Sequence, residues 1–151
     1  MQNNMQSFIK LYQRDLERLA AEIEAIPEEQ LWQSRSGITN SCGILTQHLL
    51  GNLNHFIGTQ LGDSGFERNR EREFSNTGLS KEELKQQIEK LKATIGTVLS
   101  NLDEKDGMQD VENFPYQDSI NEGLMHLYGH LSYHLGQFNY LRRMIKEKDT
   151  A

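Results

Sequence analysis

Cysteine is nearly missing from this chain: Cys42 is the only one among 151 residues. An internal disulfide is therefore excluded, and a reducing, cytoplasmic setting is expected. Proline is almost as scarce, with only Pro27 and Pro115 to interrupt long helices. No run of eighteen apolar residues occurs, so no membrane-spanning helix is expected. The opening MQNNMQSFIK has no basic segment followed by an apolar stretch, so no signal peptide is expected either. Positive charge is in deficit, 16 Lys and Arg against 22 Asp and Glu for a net charge of −6. That balance speaks against nucleic acid as the main partner, since phosphate binding needs a concentrated basic surface. The glycine-rich phosphate loop, the serine nucleophile elbow and the HExxH zinc-protease signature are all absent.

What is present is helical periodicity. At 151 residues the chain can bury a core without covalent staples, and one domain spanning 1–151 is expected. Phe8, Leu11, Tyr12, Leu16, Leu19 and Ile23 recur at three- and four-residue steps and predict a first helix from about Met5 to Ala25. Pro27 restarts the chain, and a short helical turn through Leu31 and Trp32 follows. A second helix opens at Asn40 or Ser41 and runs to Leu61 through Ile44, Leu45, Leu49, Leu53, Phe56 and Ile57, with Gly62 to end it.

The third helix starts at Ser80, where Ser80 and Glu83 form a capping box. It continues to about Leu102 through Leu84, Ile88, Leu91, Ile95, Val98 and Leu99. A polar connection from Asp103 to Pro115 leads to the fourth helix. This one opens near Asp118 or Ser119, with Ser119 and Glu122 as a second capping box, and ends near Lys146, where Lys146 and Lys148 suit a C-terminus. No strict apolar alternation marks a strand, so the chain reads as all-α. The connection from Gly62 to Leu79 exceeds the two to eight residues common in bundles and could span a helix length. That length permits helices two and three to run parallel, in an up-down-down-up four-helix bundle.

Chemistry concentrates on the histidines. The last helix carries the seam Leu127, Leu131, His134, Phe138, Leu141 and Ile145, so His134 stands where a hydrophobe is expected. His130 lies one turn before it, with the two Cβ atoms roughly 5 to 6 Å apart. Burying two imidazoles is costly unless their nitrogens find partners, and a metal satisfies one nitrogen of each. The alternative is that one histidine bonds a neighbour and the other faces solvent. His48, Asn52 and His55 form a polar stripe on helix two, and His48 has the chemistry to complete a three-histidine site with one open position. Asn52 would bond a ligand or face water, and His55 reads as a rim residue. His126 points about 80° away from His134 by the helical repeat, which suits an entrance or surface position. Cys42 has either a thiol pKa lowered by the helix terminus or a small buried side chain. Arg68, Arg70 and Arg72 form the one basic cluster, interleaved with acids.

The segment GHLSYHLGQFNYLRR, with His130, His134, Gly136, Gln137 and Arg142, resembles the closing helix of the DinB and YfiT-like superfamily. SCGILTQHLLGNLNHFI resembles its second helix, and the likeness extends in order over nearly the whole chain, including FERNREREF. The resemblance implies an up-down-down-up bundle, often dimeric, with a divalent metal, zinc or nickel, held by His48, His130 and His134. Some relatives are thiol S-transferases using bacillithiol, mycothiol or glutathione, some are isomerases or hydrolases, and many have no known activity. Leu135 stands where many relatives have arginine.

Two functions are consistent with these residues. In one, a three-histidine metal enzyme transfers a thiol or hydrolyses a small molecule, with Arg70 and Arg72 steering an anionic thiol cofactor and Gln137 orienting a histidine or ligand. In the other, the chain is a non-catalytic binding or stress-response module whose metal is structural or absent.

Overall fold

Apolar side chains at helical spacing make α1, Asn4–Ala25, bury Phe8, Tyr12, Leu16, Leu19 and Ile23 while Lys10, Glu17 and Glu24 stay outside. The computed structural model describes residues 4–115 and 119–150, without the side chains of residues 146–150. A helix start at Asp118 and the placing of Lys146 and Lys148 at the helix end lie outside what is described. Pro27 stands ahead of one 3-10 turn, Glu28–Gln30. Leu31 and Trp32 follow it as a turn, and the Trp32 indole N–H donates to the Leu79 carbonyl at 3.1 Å.

α2, Cys42–Leu53, begins at Ser41, whose hydroxyl accepts from the Ile44 N–H at 3.1 Å. Every residue of α2 is buried, as expected of a helix apolar on nearly all sides. The helix continues to Leu61 as the spacing predicts, but Asn54–Leu61 winds as a π-helix, which periodicity did not foretell. Two further short helices lie within segments read as connections: α3, Arg70–Ser75, in the crossover, and α5, Glu104–Gly107, capped by Asp103. α4, Lys81–Ser100, carries the predicted Ser80–Glu83 capping box and buries all six of its predicted apolar positions. α6, Ile120–Thr150, has the Ser119 hydroxyl accepting from the Glu122 N–H at 3.3 Å.

Side-chain partners settle the directions of the four long helices. Tyr12 donates to the Leu124 carbonyl at 2.5 Å and Arg142 pairs with Glu22 at 2.6 Å, so α1 and α6 run parallel. Gln13 donates to the Lys92 carbonyl and Lys85 pairs with Glu24, so α4 runs against α1. Cys42 meets Phe138 while His48 meets His130, so α2 runs against α6. The order is up, down, down, up. Because α2 and α4 point the same way, the chain between them must return along about 30 Å of helix at 1.5 Å per residue, which explains the long crossover. Gly78, at φ +100°, takes the left-handed turn that brings it into α4. Among the described residues there is no β-strand, and no helix is long and apolar enough to cross a membrane.

Candidate metal centre

His48 sits midway along buried α2, and α6 passes it in the opposite direction with His130 and His134 one turn apart. The Nε2 atom of His130 lies 3.1 Å from that of His48 and 3.0 Å from that of His134. One ligand atom from each of the three lies within 4.8 Å of the others, so the three could hold a metal ion. Nitrogens bonded at about 2.0–2.1 Å to a shared tetrahedral ion stand roughly 3.3 Å apart, which matches this spacing.

The partners of the outer nitrogens fix the tautomers. The Glu73 carboxylate accepts from the His48 Nδ1–H at 3.2 Å, and the Gln137 side-chain carbonyl accepts from the His134 Nδ1–H at 2.7 Å. Both Nε2 atoms therefore present lone pairs toward His130 Nε2. A single proton on that atom satisfies one neighbour, whereas a cation satisfies all three. His130 Nδ1 is buried with no hydrogen-bond partner among the described residues. Burial, followed by electrostatic coupling to the neighbouring His134, His48 and His126 rings and to Arg68, pushes the His130 pKa down to about 4. Burial also lowers that of His48, against the raising effect of Glu73. Both rings are thus neutral near pH 7, the protonation state a metal requires.

Glu73 was not foreseen as a site residue. It reaches His48 because α3 docks on α2: the Gln47 amide donates to the Glu73 carbonyl at 3.1 Å and to the Asn76 carbonyl at 2.8 Å. The Phe74 ring packs 4.8 Å from that of His48. Arg68 grips the carboxylate through Nε at 2.8 Å and a terminal nitrogen at 3.0 Å, so it is the ion-pair partner of Glu73. A Cβ on Gly51 would stand 1.9 Å from the carboxylate oxygen, and only glycine admits it. A glycine inside a helix was the faint sequence signal of such an approach.

Asn52 and Arg70 share the wall of a cavity of about 250 Å3 with His48, His130 and His126. Arg72 lies outside it, exposed on α3. His55 is half-buried, bonded to Gln60 at 3.3 Å, and does not join the three histidines. Cys42 is buried beneath the Phe138 carbonyl, and burial pushes its thiol up to about 12, so of the two readings open for it the small buried side chain holds and the lowered pKa does not. Leu135 packs against the core. Gln137 also borders a second cavity, of about 390 Å3, between residues 37–40, Leu45 of α2 and the later part of α6.

A family model described as "Protein of unknown function (DUF1572)" matches residues 2–151. The crystal structure of a DinB-like protein from Bacillus cereus ATCC 10987 is similar with a TM-score of 0.73 at 18% sequence identity, covering 93% of this chain and 92% of that one. At that identity the likeness speaks for the fold alone. No curated protein matches the chain.

Proposed function

The chain belongs to DUF1572, a DinB-like family of proteins of unknown function, and we propose that it is a metal-dependent enzyme in which His48, His130 and His134 hold zinc or nickel. One observation carries the reading: His130 Nε2 lies about 3 Å from the Nε2 atoms of both His48 and His134, all three ligand atoms within 4.8 Å of one another, with the outer nitrogens of His48 and His134 already bonded to oxygen acceptors. Such an arrangement repels itself unless a cation stands among the lone pairs. Three protein ligands leave a further position open, as in catalytic and not structural zinc sites. A divalent ion there lowers the pKa of a bound thiol or water and so furnishes a nucleophile near neutral pH, for thiol transfer or hydrolysis.

The chain's own residues do the rest. Glu73 and Gln137 hold two imidazoles in the ligating tautomer and orientation, and the cavity bordered by Asn52 and Arg70 admits a small substrate or thiol to the histidines' side. A cytoplasmic homodimer is part of the same proposal. A second reading, a structural metal in a binding or stress-response module, draws support from His48 lying buried where α2, α3 and α6 meet.

Elemental analysis of the untagged protein beside His134→Ala tests the site. Near-stoichiometric zinc or nickel, lost in the variant, is the expected result. Metal in neither protein after incubation with divalent ions sinks the proposal. Metal present without turnover of any thiol or ester moves the balance to the structural reading.

A further inference from the structure

Two of the three histidines have an oxygen acceptor on the outer nitrogen, Glu73 for His48 and Gln137 for His134. His130 has none: its Nδ1 is buried without a hydrogen-bond partner among the described residues. Asn52 shows a matching gap. It is only 8% exposed, and its Oδ1 is likewise buried and unpartnered. Buried polar atoms left this way are rare in folded proteins, and here two of them belong to residues that border one cavity, of about 250 Å3. Asn52 lies one turn after His48 on α2, and α2 runs against α6, where His48 meets His130. That order puts Asn52 on the His126 side of His130, along α6, with His134 on the other side; His126 and His130 border the shared cavity.

We propose that Asn52 is the positioning residue of His130, its Oδ1 accepting from the His130 Nδ1–H, directly or through one water in the cavity, when Nε2 ligates the ion. The two atoms are complementary. A neutral imidazole that commits Nε2 to a metal carries its proton on Nδ1 and must donate there, and an amide oxygen only accepts. Arg68 and Arg70, on the same wall, have donors alone and cannot serve that proton. A polar side chain on a helix buried throughout is costly unless it is bonded, and the cavity has room for a bridging water. Each ligating ring then has its own outer acceptor: Glu73 from the crossover, Gln137 from α6 and Asn52 from α2. This inference rests on the metal reading, since a ligated Nε2 is what sends the His130 proton to Nδ1.

The test uses untagged protein, labelled with nitrogen-15 at histidine and loaded with zinc. Long-range proton–nitrogen correlation spectra read which nitrogen of each ring holds the proton, and competition with a chromogenic chelator reads the affinity. Asn52→Leu keeps the approximate size and removes the acceptor, whereas Asn52→Asp keeps an acceptor oxygen and has no side-chain N–H. In the parent, His130 is expected to be protonated at Nδ1. Asn52→Leu is expected to lower zinc affinity about tenfold and to move the His130 Nδ1 resonance while those of His48 and His134 hold. Asn52→Asp is expected to bind zinc at least as well as the parent. Three results overturn the proposal: ligation by His130 through Nδ1, unchanged affinity in Asn52→Leu, or a folded Asn52→Asp that loses as much as Asn52→Leu. All three histidine signals moving together in Asn52→Leu would overturn it as well, as the mark of a loosened fold. If Asn52→Asp does not fold, the Asn52→Leu spectra and affinity decide alone. A parent that takes up no zinc overturns the three-histidine reading and this inference with it, whereas each of the other failures leaves that reading standing.

Discussion

Glu73 holds one carboxylate between an imidazole and a guanidinium. Its Oε1 receives the His48 Nδ1–H, and both its oxygens receive N–H groups of Arg68. The carboxylate can only accept, so His48 must keep its proton on Nδ1 and offer Nε2 as the free lone pair. Carboxylates in this position raise the basicity of a ligating histidine, and their loss typically costs about 10–100-fold in metal affinity. Glu73→Gln keeps the shape and one acceptor but removes the charge that balances Arg68. A competition titration against a chromogenic chelator is expected to show metal affinity falling within that range. Unchanged affinity would leave Glu73 with a docking role only.

At the scale of elements, the crossover works as a part of the site as well as a connection. α3 is six residues long, too short to persist alone, and is held by the Gln47 amide and by the fit of Glu73 over Gly51. Gly51→Ala sets two effects against each other. Alanine gains about 1 kcal/mol of helix propensity over glycine. The new methyl would stand 1.9 Å from Oε2 of a buried carboxylate that three hydrogen bonds hold in place, one of them on that oxygen, and overpacking of this kind costs roughly 1–3 kcal/mol. The contact wins, because neither the helix backbone nor the bonded carboxylate can move aside cheaply. Denaturant unfolding is expected to show a net loss of stability, together with weaker metal binding as α3 lifts from α2. A variant as stable as the parent with equal metal affinity would show that α3 does not need this close approach.

For the whole molecule, a metal among the three histidines would tie α2 to α6 and, through Glu73, α3 to both. Binding to the folded state alone stabilises by about 2.7 kcal/mol at a free metal concentration one hundred times the Kd. A chain of this size gains roughly 2–4 °C in Tm for each kcal/mol. Calorimetric scans with zinc or nickel and after chelation are therefore expected to differ by roughly 5–11 °C, and the difference should vanish in His134→Ala. Equal midpoints in the parent protein would mean that the folded bundle takes up no metal at the histidines.

The sequence alone was enough for the four long helices, their order and the cap at Ser80, and it narrowed the cap of the second helix to Asn40 or Ser41, because amphipathic spacing and capping depend on neighbours three or four residues away. It was also enough to single out His130 and His134, one turn apart on a single face, and to suggest His48. Only the tertiary structure decided which charged residues meet them. Glu73 lies 25 residues from its partner His48, Arg70 borders the cavity while Arg72 does not, and the Cys42 thiol is silenced by burial instead of activated by its helix end. None of these follows from local pattern. Each depends on where a crossover of mixed charge comes to rest against a helix already buried on its other sides, and that docking is set by shape and hydrogen bonding between segments distant in the chain.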